Sequence, residues 1–227
     1  MSRGALIVFA RRPEPGRVKT RLCPPFTATQ ACEFYRALLA DVLEASAEMA
    51  DATGLEAVLA VTPAAACAEL ARCCPPSFRV IAQRGVDLGA RMEWAVAEAA
   101  AGGRSPIVLR GSDNPSFSPE LLADALSALR DCDLVLGPDL GGGYGLVALR
   151  RPAPGLFAHP MGTPTVRDDT LRAASRLGLR AVLLRPHFDL DTSEDLRNLA
   201  ALRGGPDAAR CARSLAYLDE QRLWPSS

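Results

Sequence analysis

Apolar runs with the length of buried strands alternate with helix-like stretches along the whole chain, and this alternation limits the fold more than any other feature. Residues 4–10, 56–62, 78–83, 106–110, 133–137, 144–149 and 179–185 read as strands. Between them, residues 28–50, 88–101, 119–129, 165–177 and 194–202 carry helical periodicity. Caps are expected at Thr27 or Thr29, at Ser118, and at Thr192 or Ser193, with a short helix after Pro63. Strands alternating with helices of this length imply βαβ units. The expected architecture is a single-domain α/β fold with a mostly parallel sheet and helices on both faces. Residues 206–223 can form one more amphipathic helix, which either covers the sheet or meets a second copy of the chain.

Composition removes several function classes. Apolar residues make up 48% and charged residues 23% of the 227, so the chain is neither disordered nor dependent on staples. Twenty-six basic residues balance 26 acidic ones, which argues against nucleic acid or an anionic membrane as the main partner. No apolar run approaches the roughly 18 residues needed to span a bilayer. The first apolar run has only Arg3 before it and Arg11-Arg12 behind it, the reverse of a secretory signal, so a cytoplasmic location is expected. The seven cysteines are odd in number and none has C-x-x-C spacing, which speaks against a disulfide framework or zinc. Two histidines leave little room for a His-rich metal cluster or a Ser-His-Asp triad.

The polar chemistry gathers at one place. In an open α/β sheet, ligands bind beyond the carboxyl ends of the strands. Every cluster of Gly, Asp and basic residues falls just after an expected strand: Arg11 to Arg21, Gln83 to Arg91, Gly111 to Pro115, Gly137 to Tyr144, and Phe188 to Thr192. The first of these loops carries Arg11, Arg12, Arg17, Lys19 and Arg21, a set suited to a polyphosphate or to a solvated surface. It is neither a Walker A loop nor a dinucleotide fingerprint. Lys19 is the only lysine in the chain, the other 25 basic residues being arginine. A mobile ammonium differs from a guanidinium fork, so its retention points to a function.

Asp113, in the turn Gly111-Ser112-Asp113-Asn114-Pro115, is a candidate Mg²⁺ ligand or a turn-forming aspartate. Asp189 and Asp191 flank Leu190; in extended backbone they point to opposite sides, so one at most is expected to face the site. Asp191 is also a candidate helix cap. Gly141-Gly142-Gly143 allows close approach of a ligand or makes a tight turn. Asp87 and Gly89 open a helix whose free N–H groups could meet an anion, or Asp87 simply caps it. Met92, Trp94 and Val96 read as core packing.

Six ordered segments carry a family resemblance: Val18-Lys19-Thr20-Arg21-Leu22, Asp87 to Met92, Gly111 to Pro115, Leu136 to Tyr144, Gly162 to Val166, and Asp189 to Leu196. Over roughly residues 5–203 the chain resembles the family often described as glycosyltransferase, or "transferase 1, radical-SAM/selenodomain-associated". That family lies within the nucleotide-diphospho-sugar transferase superfamily of GT-A fold. The resemblance implies a GT-A domain over 1–203 followed by a helical extension over 204–227. It also implies a divalent metal, Mg²⁺ or Mn²⁺, held by Asp113 with Asp191 as second ligand. Lys19, Arg21 and Asp113 are the catalytic candidates it implies. The nucleotide-binding candidates are Arg12, Gly16, Lys19, Arg21, Gln83, Asp87, Gly89, Arg91, Gly142 and Gly143. Two positions depart from the family: Gly141 stands where Asp is usual, and Met161 where Trp is usual. The stretch from Gly137 to Gly143 also resembles the 2-phospho-lactate and phosphoenolpyruvate guanylyltransferases, which adds Asp139 as a candidate.

The implied partners are a nucleotide-activated donor and a small-molecule acceptor, with a homodimer as a further candidate assembly. The leading expectation is glycosyl transfer from an NDP-sugar. The alternative is nucleotidyl transfer from an NTP with release of pyrophosphate. A third is nucleotide binding without turnover, suggested by Gly141 and Met161.

Overall fold

The computed structural model describes residues 3–225. The outer ends of the two expected units, residues 1–2 and 226–227, therefore lie outside the described residues. Seven strands form one sheet: β1 (Ala5–Arg11), β2 (Glu56–Thr62), β3 (Arg79–Ala82), β4 (Ile107–Gly111), β5 (Leu134–Pro138), β6 (Tyr144–Leu149) and β7 (Ala181–Leu183). Their order across the sheet is β3-β2-β1-β4-β6-β5-β7. All neighbouring pairs are parallel except those of β6, which runs antiparallel to both β4 and β5. Of the two readings open for Gly141–Gly143, the turn is realised: these residues close the β5–β6 hairpin.

Alternation along the inner strands builds two cores. On β1, Leu6, Val8 and Ala10 face one side, while Ala5 and Ile7 face the other. The first side packs against α1 (Ala28–Thr53) and α4 (Pro119–Ala128), the second against α3 (Leu88–Ala101) and α5 (Val166–Arg176). Burial on both faces explains why these strands read as continuous apolar runs rather than alternating ones. Of the two caps considered for α1, Thr27 serves, in a capping box with Gln30; Ser118 caps α4 as expected. Short helices α2 (Cys67–Ala71) and α6 (Leu196–Ala200) complete the connections.

The last helix, α7 (Ala212–Gln221), lies on α1. Buried Asp41 of α1 accepts hydrogen bonds from the backbone N–H and hydroxyl of Ser214, at 2.8 and 2.7 Å, and from the Arg213 N–H at 3.1 Å. Among the described residues, no helix is long and apolar enough to cross a membrane.

The topology positions the site. Strand order runs 3-2-1 leftward from β1 and continues with β4 on its other side, so connections leave β1 and β4 in opposite directions. A crevice opens beyond the carboxyl ends of such a pair. The loops that begin at Arg12 and Ser112 meet there.

Candidate active site

A cleft of about 1030 Å³ occupies this crevice. From the set proposed on sequence it is lined by Lys19, Arg21, Gln83, Arg91, Asp113, Gly143 and Asp191. Arg11, Arg17, Tyr35, Asp139 and Asp189 also line it.

At its centre the Lys19 ammonium bridges two carboxylates. Nζ is paired with Asp113 Oδ1 and lies 3.1 Å from Asp191 Oδ1. The lysine side chain is 5% exposed, whereas those of Asp113 and Asp191 are 39% and 48% exposed. Burial works against the lysine's charge, but the two carboxylates outweigh it and hold the pKa above its ordinary value. Lys19 is placed by a left-handed backbone, φ 48°, at the start of a short 3-10 turn over Thr20–Leu22. This conformation is costly for a residue with a Cβ and persists only where surrounding structure enforces it. Arg21 reaches the same pair from outside, 3.9 Å from Asp191 Oδ2.

Main-chain bonds fix the carboxylates. The Leu190 N–H donates to the Asp113 carbonyl at 2.9 Å, joining the two aspartate loops. The Asp195 carboxylate accepts from the N–H groups of Asp191 and Thr192 and from the Thr192 hydroxyl. The cap expected from Thr192 or Ser193 is not formed: α6 follows Asp195 with no side-chain cap, and the Asp195 carboxylate instead bonds back to the turn before it. Tyr35, reaching up from α1, accepts from the Arg11 N–H and shares a 2.8 Å hydrogen bond with the Ser112 hydroxyl, tying the first loop to the Asp113 turn.

Asp189 corrects a second expectation. It and Asp191 both line the cleft, because this stretch is irregular backbone and the strand alternation does not apply. Burial, then the nearby carboxylates of Asp113 and Asp139, push the Asp189 carboxyl up to about 7. His187 Nε2 lies 3.9 Å from Asp189 Oδ1, and burial depresses its pKa to about 4. Between those values both groups are largely neutral, so their approach is not an ion pair. Among the described residues, neither ring nitrogen of His187 has a hydrogen-bond partner.

Other candidates make structural contacts of their own. Arg12 pairs with Glu69 and does not line the cleft. Gly16 supplies a turn with φ 74°, also off the cleft. Asp87 caps α3 by accepting from the Ala90 N–H at 2.8 Å. Gly89 packs so closely on the Phe157 carbonyl that a Cβ would lie 2.3 Å from it. Gly142 is pressed in the same way against the Pro164 carbonyl. Gln83 faces the cleft, but its amide donates to the Ala10 and Ala60 carbonyls. Asp139 accepts from the N–H groups of Gly141 and Gly143, so its carboxylate shapes the hairpin turn.

Sequence reading missed Arg110, which is buried on β4 beneath the Asp113 turn. It donates to the Ser46 hydroxyl at 3.0 Å and to the Asn114 carbonyl, and stacks on Phe117. A charged side chain inside an otherwise apolar strand was the available signal. Tyr35 offered none, lying in an ordinary helical pattern.

A family profile matches residues 44–163, more than half of the chain. The chain belongs to the family described as an uncharacterized protein conserved in bacteria, DUF2064. This DUF2064 chain is 41% identical over 105 residues to the phosphoenolpyruvate guanylyltransferase of Chloroflexus aggregans (strain MD-66 / DSM 9485), a match covering 44% of the chain. It spans about half, 50%, of that relative's length. A solved protein from Desulfovibrio desulfuricans G20, provisionally assigned as a nucleotide-diphospho-sugar transferase, superposes with a TM-score of 0.82 at 29% identity, covering 97% of this chain and 98% of that one. Rv0371c from Mycobacterium tuberculosis H37Rv shares the fold, with a TM-score of 0.56 at 22% identity over 88% of this chain and 98% of its own. The DUF2064 chain thus has the α/β fold of the nucleotide-diphospho-sugar transferase superfamily, as its motifs led one to expect.

Proposed function

We propose that this protein is a nucleotidyltransferase that joins a nucleoside monophosphate unit from an NTP to a phosphorylated small acid. The observation that carries the reading is the Lys19–Asp113–Asp191 cluster beneath a basic loop at the β1/β4 crevice. It combines cations for a polyphosphate with oxygen donors for a hard metal ion. The likeness to a phosphoenolpyruvate guanylyltransferase supports GTP and phosphoenolpyruvate as the first pair to test. The superfamily likeness also supports glycosyl transfer from an NDP-sugar as the second reading.

The residues present fit a divalent metal. Asp113 and Asp191 already hold one cation, the Lys19 ammonium, and both are open to the cleft. Mg²⁺ takes one or two carboxylates and completes its shell with water and substrate phosphate oxygens. Asp113 and Asp191 would hold the ion, which when bound supplies charge stabilisation for the phosphates.

The chain's own residues do the rest. Arg11, Arg17 and Arg21 line the approach and bind the outer phosphates. Lys19 neutralises charge that grows on the leaving pyrophosphate. A phosphate oxygen of the acceptor forms a bond to the α-phosphorus, and the bond from that phosphorus to the bridging oxygen breaks. The electron pair leaves with pyrophosphate, and no separate general base is needed for an ionised acceptor phosphate.

Thermal-shift measurements with NTPs, NDPs and NDP-sugars, with and without Mg²⁺ or Mn²⁺, test the reading on wild type and Asp113→Ala. A ligand at a hundred times its Kd stabilises by about 2.7 kcal/mol, a shift of several degrees. A metal-dependent GTP shift lost in Asp113→Ala, with pyrophosphate released on adding phosphoenolpyruvate, supports nucleotidyl transfer. Free NDP released from an NDP-sugar selects glycosyl transfer instead. Binding without turnover across the whole panel leaves a nucleotide-binding protein.

A further inference from the structure

The geometry points to Lys19 as a tethered cation that keeps the Asp113–Asp191 pair closed to divalent ions until the phosphates of a nucleotide draw its ammonium away. This rests on the reading above, in which that pair holds a metal ion during the reaction.

Three observations carry it. First, the ammonium already engages both carboxylates that a metal ion would need: it is paired with Asp113 Oδ1 and lies 3.1 Å from Asp191 Oδ1. A second cation on the same oxygens would meet strong repulsion at that separation. Second, the ammonium lies beneath the carboxylates, 5% exposed against their 39% and 48%. Arg21, 72% exposed, stands outside the cluster, where arriving phosphates meet a cation first. Third, the residue is lysine in a chain that otherwise uses arginine. An ammonium is a compact point charge on a flexible stem, able to exchange carboxylate for phosphate partners by rotation. The stem starts from a left-handed backbone, φ 48°, a conformation that persists only where surrounding structure holds it.

The consequence is an order of loading. Without nucleotide, the pair is satisfied internally and a free divalent ion gains little by entering. With nucleotide, the ammonium moves to the phosphates, and the vacated carboxylates and phosphate oxygens together receive the metal.

The test uses Mn²⁺ alone as probe, followed by water-proton relaxation, which separates protein-bound from free and nucleotide-bound Mn²⁺. Wild type, Lys19→Met and Lys19→Arg are titrated without nucleotide, with circular dichroism to confirm folding; Lys19→Gln replaces Lys19→Met if that variant does not fold. The expected result is weak binding to wild type and Lys19→Arg, and binding at least about tenfold tighter to Lys19→Met. Asp113→Asn in the Lys19→Met background should remove the gain. Adding GTP should raise the Mn²⁺ affinity of wild type. Equal nucleotide-free affinity in wild type and Lys19→Met overturns the proposal. If Mn²⁺ joins wild type with GTP but the variant gains nothing, the ordered loading fails while the metal reading stands. If no Mn²⁺ is bound even with GTP, the metal reading fails and the loading order with it.

Discussion

The Arg110 guanidinium reaches from inside the core to the main-chain carbonyl of Asn114, the residue after Asp113. Burial lowers its pKa to about 9, and among the described residues it has no carboxylate within ion-pair distance. Its cation is instead satisfied by the Ser46 hydroxyl, the Asn114 carbonyl and the Phe117 ring, whose centroid is 4.5 Å away.

Arg110→Met removes a buried cation that has no carboxylate partner, which offsets part of the cost of leaving the Asn114 carbonyl and Ser46 hydroxyl without this donor. Arg110→Met should therefore shift unfolding free energy by no more than about 2 kcal/mol in either direction. Its effect should fall on the turn above. Displacing Asp113 by a fraction of an ångström predicts a loss of transfer activity of about tenfold or more. Urea denaturation and steady-state kinetics on the same preparation check both parts. Full activity in a folded variant would show that Asp113 is held by other contacts.

The contact between α1 and α7 gives a stability prediction remote from the cleft. Asp41→Ala leaves the Ser214 N–H and hydroxyl without their partner in a buried setting, and should cost about 3 kcal/mol. Ser214→Ala retains the backbone bond and should cost about 1 kcal/mol. Chemical denaturation of the two variants should reproduce that ranking. Similar losses would mean that the hydroxyl, not the backbone, dominates the contact.

Asp189 and His187 act on stability in opposite senses as pH changes. The folded state raises the Asp189 pKa from 3.8 to about 7, so it binds the extra proton and this contribution falls as pH rises through that window. His187 is lowered from 6.5 to about 4, so the unfolded state binds the extra proton and this contribution rises with pH between those values. Between pH 4 and 6.5 the two slopes offset each other. Asp189→Asn removes one of them. Its stability relative to wild type should then climb with pH across that range, by up to about 1.4 kcal/mol per unit. Parallel pH profiles for the two proteins would contradict this.

Gly142 has φ 88°, and a Cβ there would lie 2.3 Å from the Pro164 carbonyl oxygen. Gly142→Ala therefore combines left-handed strain with a clash against backbone. A loss of about 2 kcal/mol is expected. Gly16→Ala, with φ 74° but nothing within 4 Å of its Cβ, should show the strain alone, about 1 kcal/mol. Melting temperatures of the pair would separate the two costs.

The elements legible in the sequence are those whose pattern is set by burial alone. Residues 56–62, 88–101 and 144–149 form β2, α3 and β6 at the expected bounds, because inner strands and an amphipathic helix carry strong apolar signals. The edge strand β7 is shorter than expected, Ala181–Leu183 in place of 179–185, since it pairs on one side only and is exposed along its length. The antiparallel direction of β6 was not legible: it follows from the tight turn at Gly141–Gly143, which pattern alone left open. In the cleft, Lys19, Asp113 and Asp191 were legible because charged residues after buried strands share one edge of the sheet. Asp189 was misread, since its orientation depends on irregular backbone held by the Leu190–Asp113 main-chain bond. The contacts of Arg12, Asp87 and Gly89 with Glu69, Ala90 and Phe157 become visible only in three dimensions.

Lys19 and Asp191 are 172 residues apart in the chain. During synthesis, the lysine leaves the ribosome long before its second carboxylate exists. Until the loop after β7 has emerged and folded, Lys19 has Asp113 alone to answer its charge. Closure of this pair is therefore among the last long-range contacts a growing chain can make. A ligand that needs both carboxylates reports, by binding, that the sheet has been completed through β7.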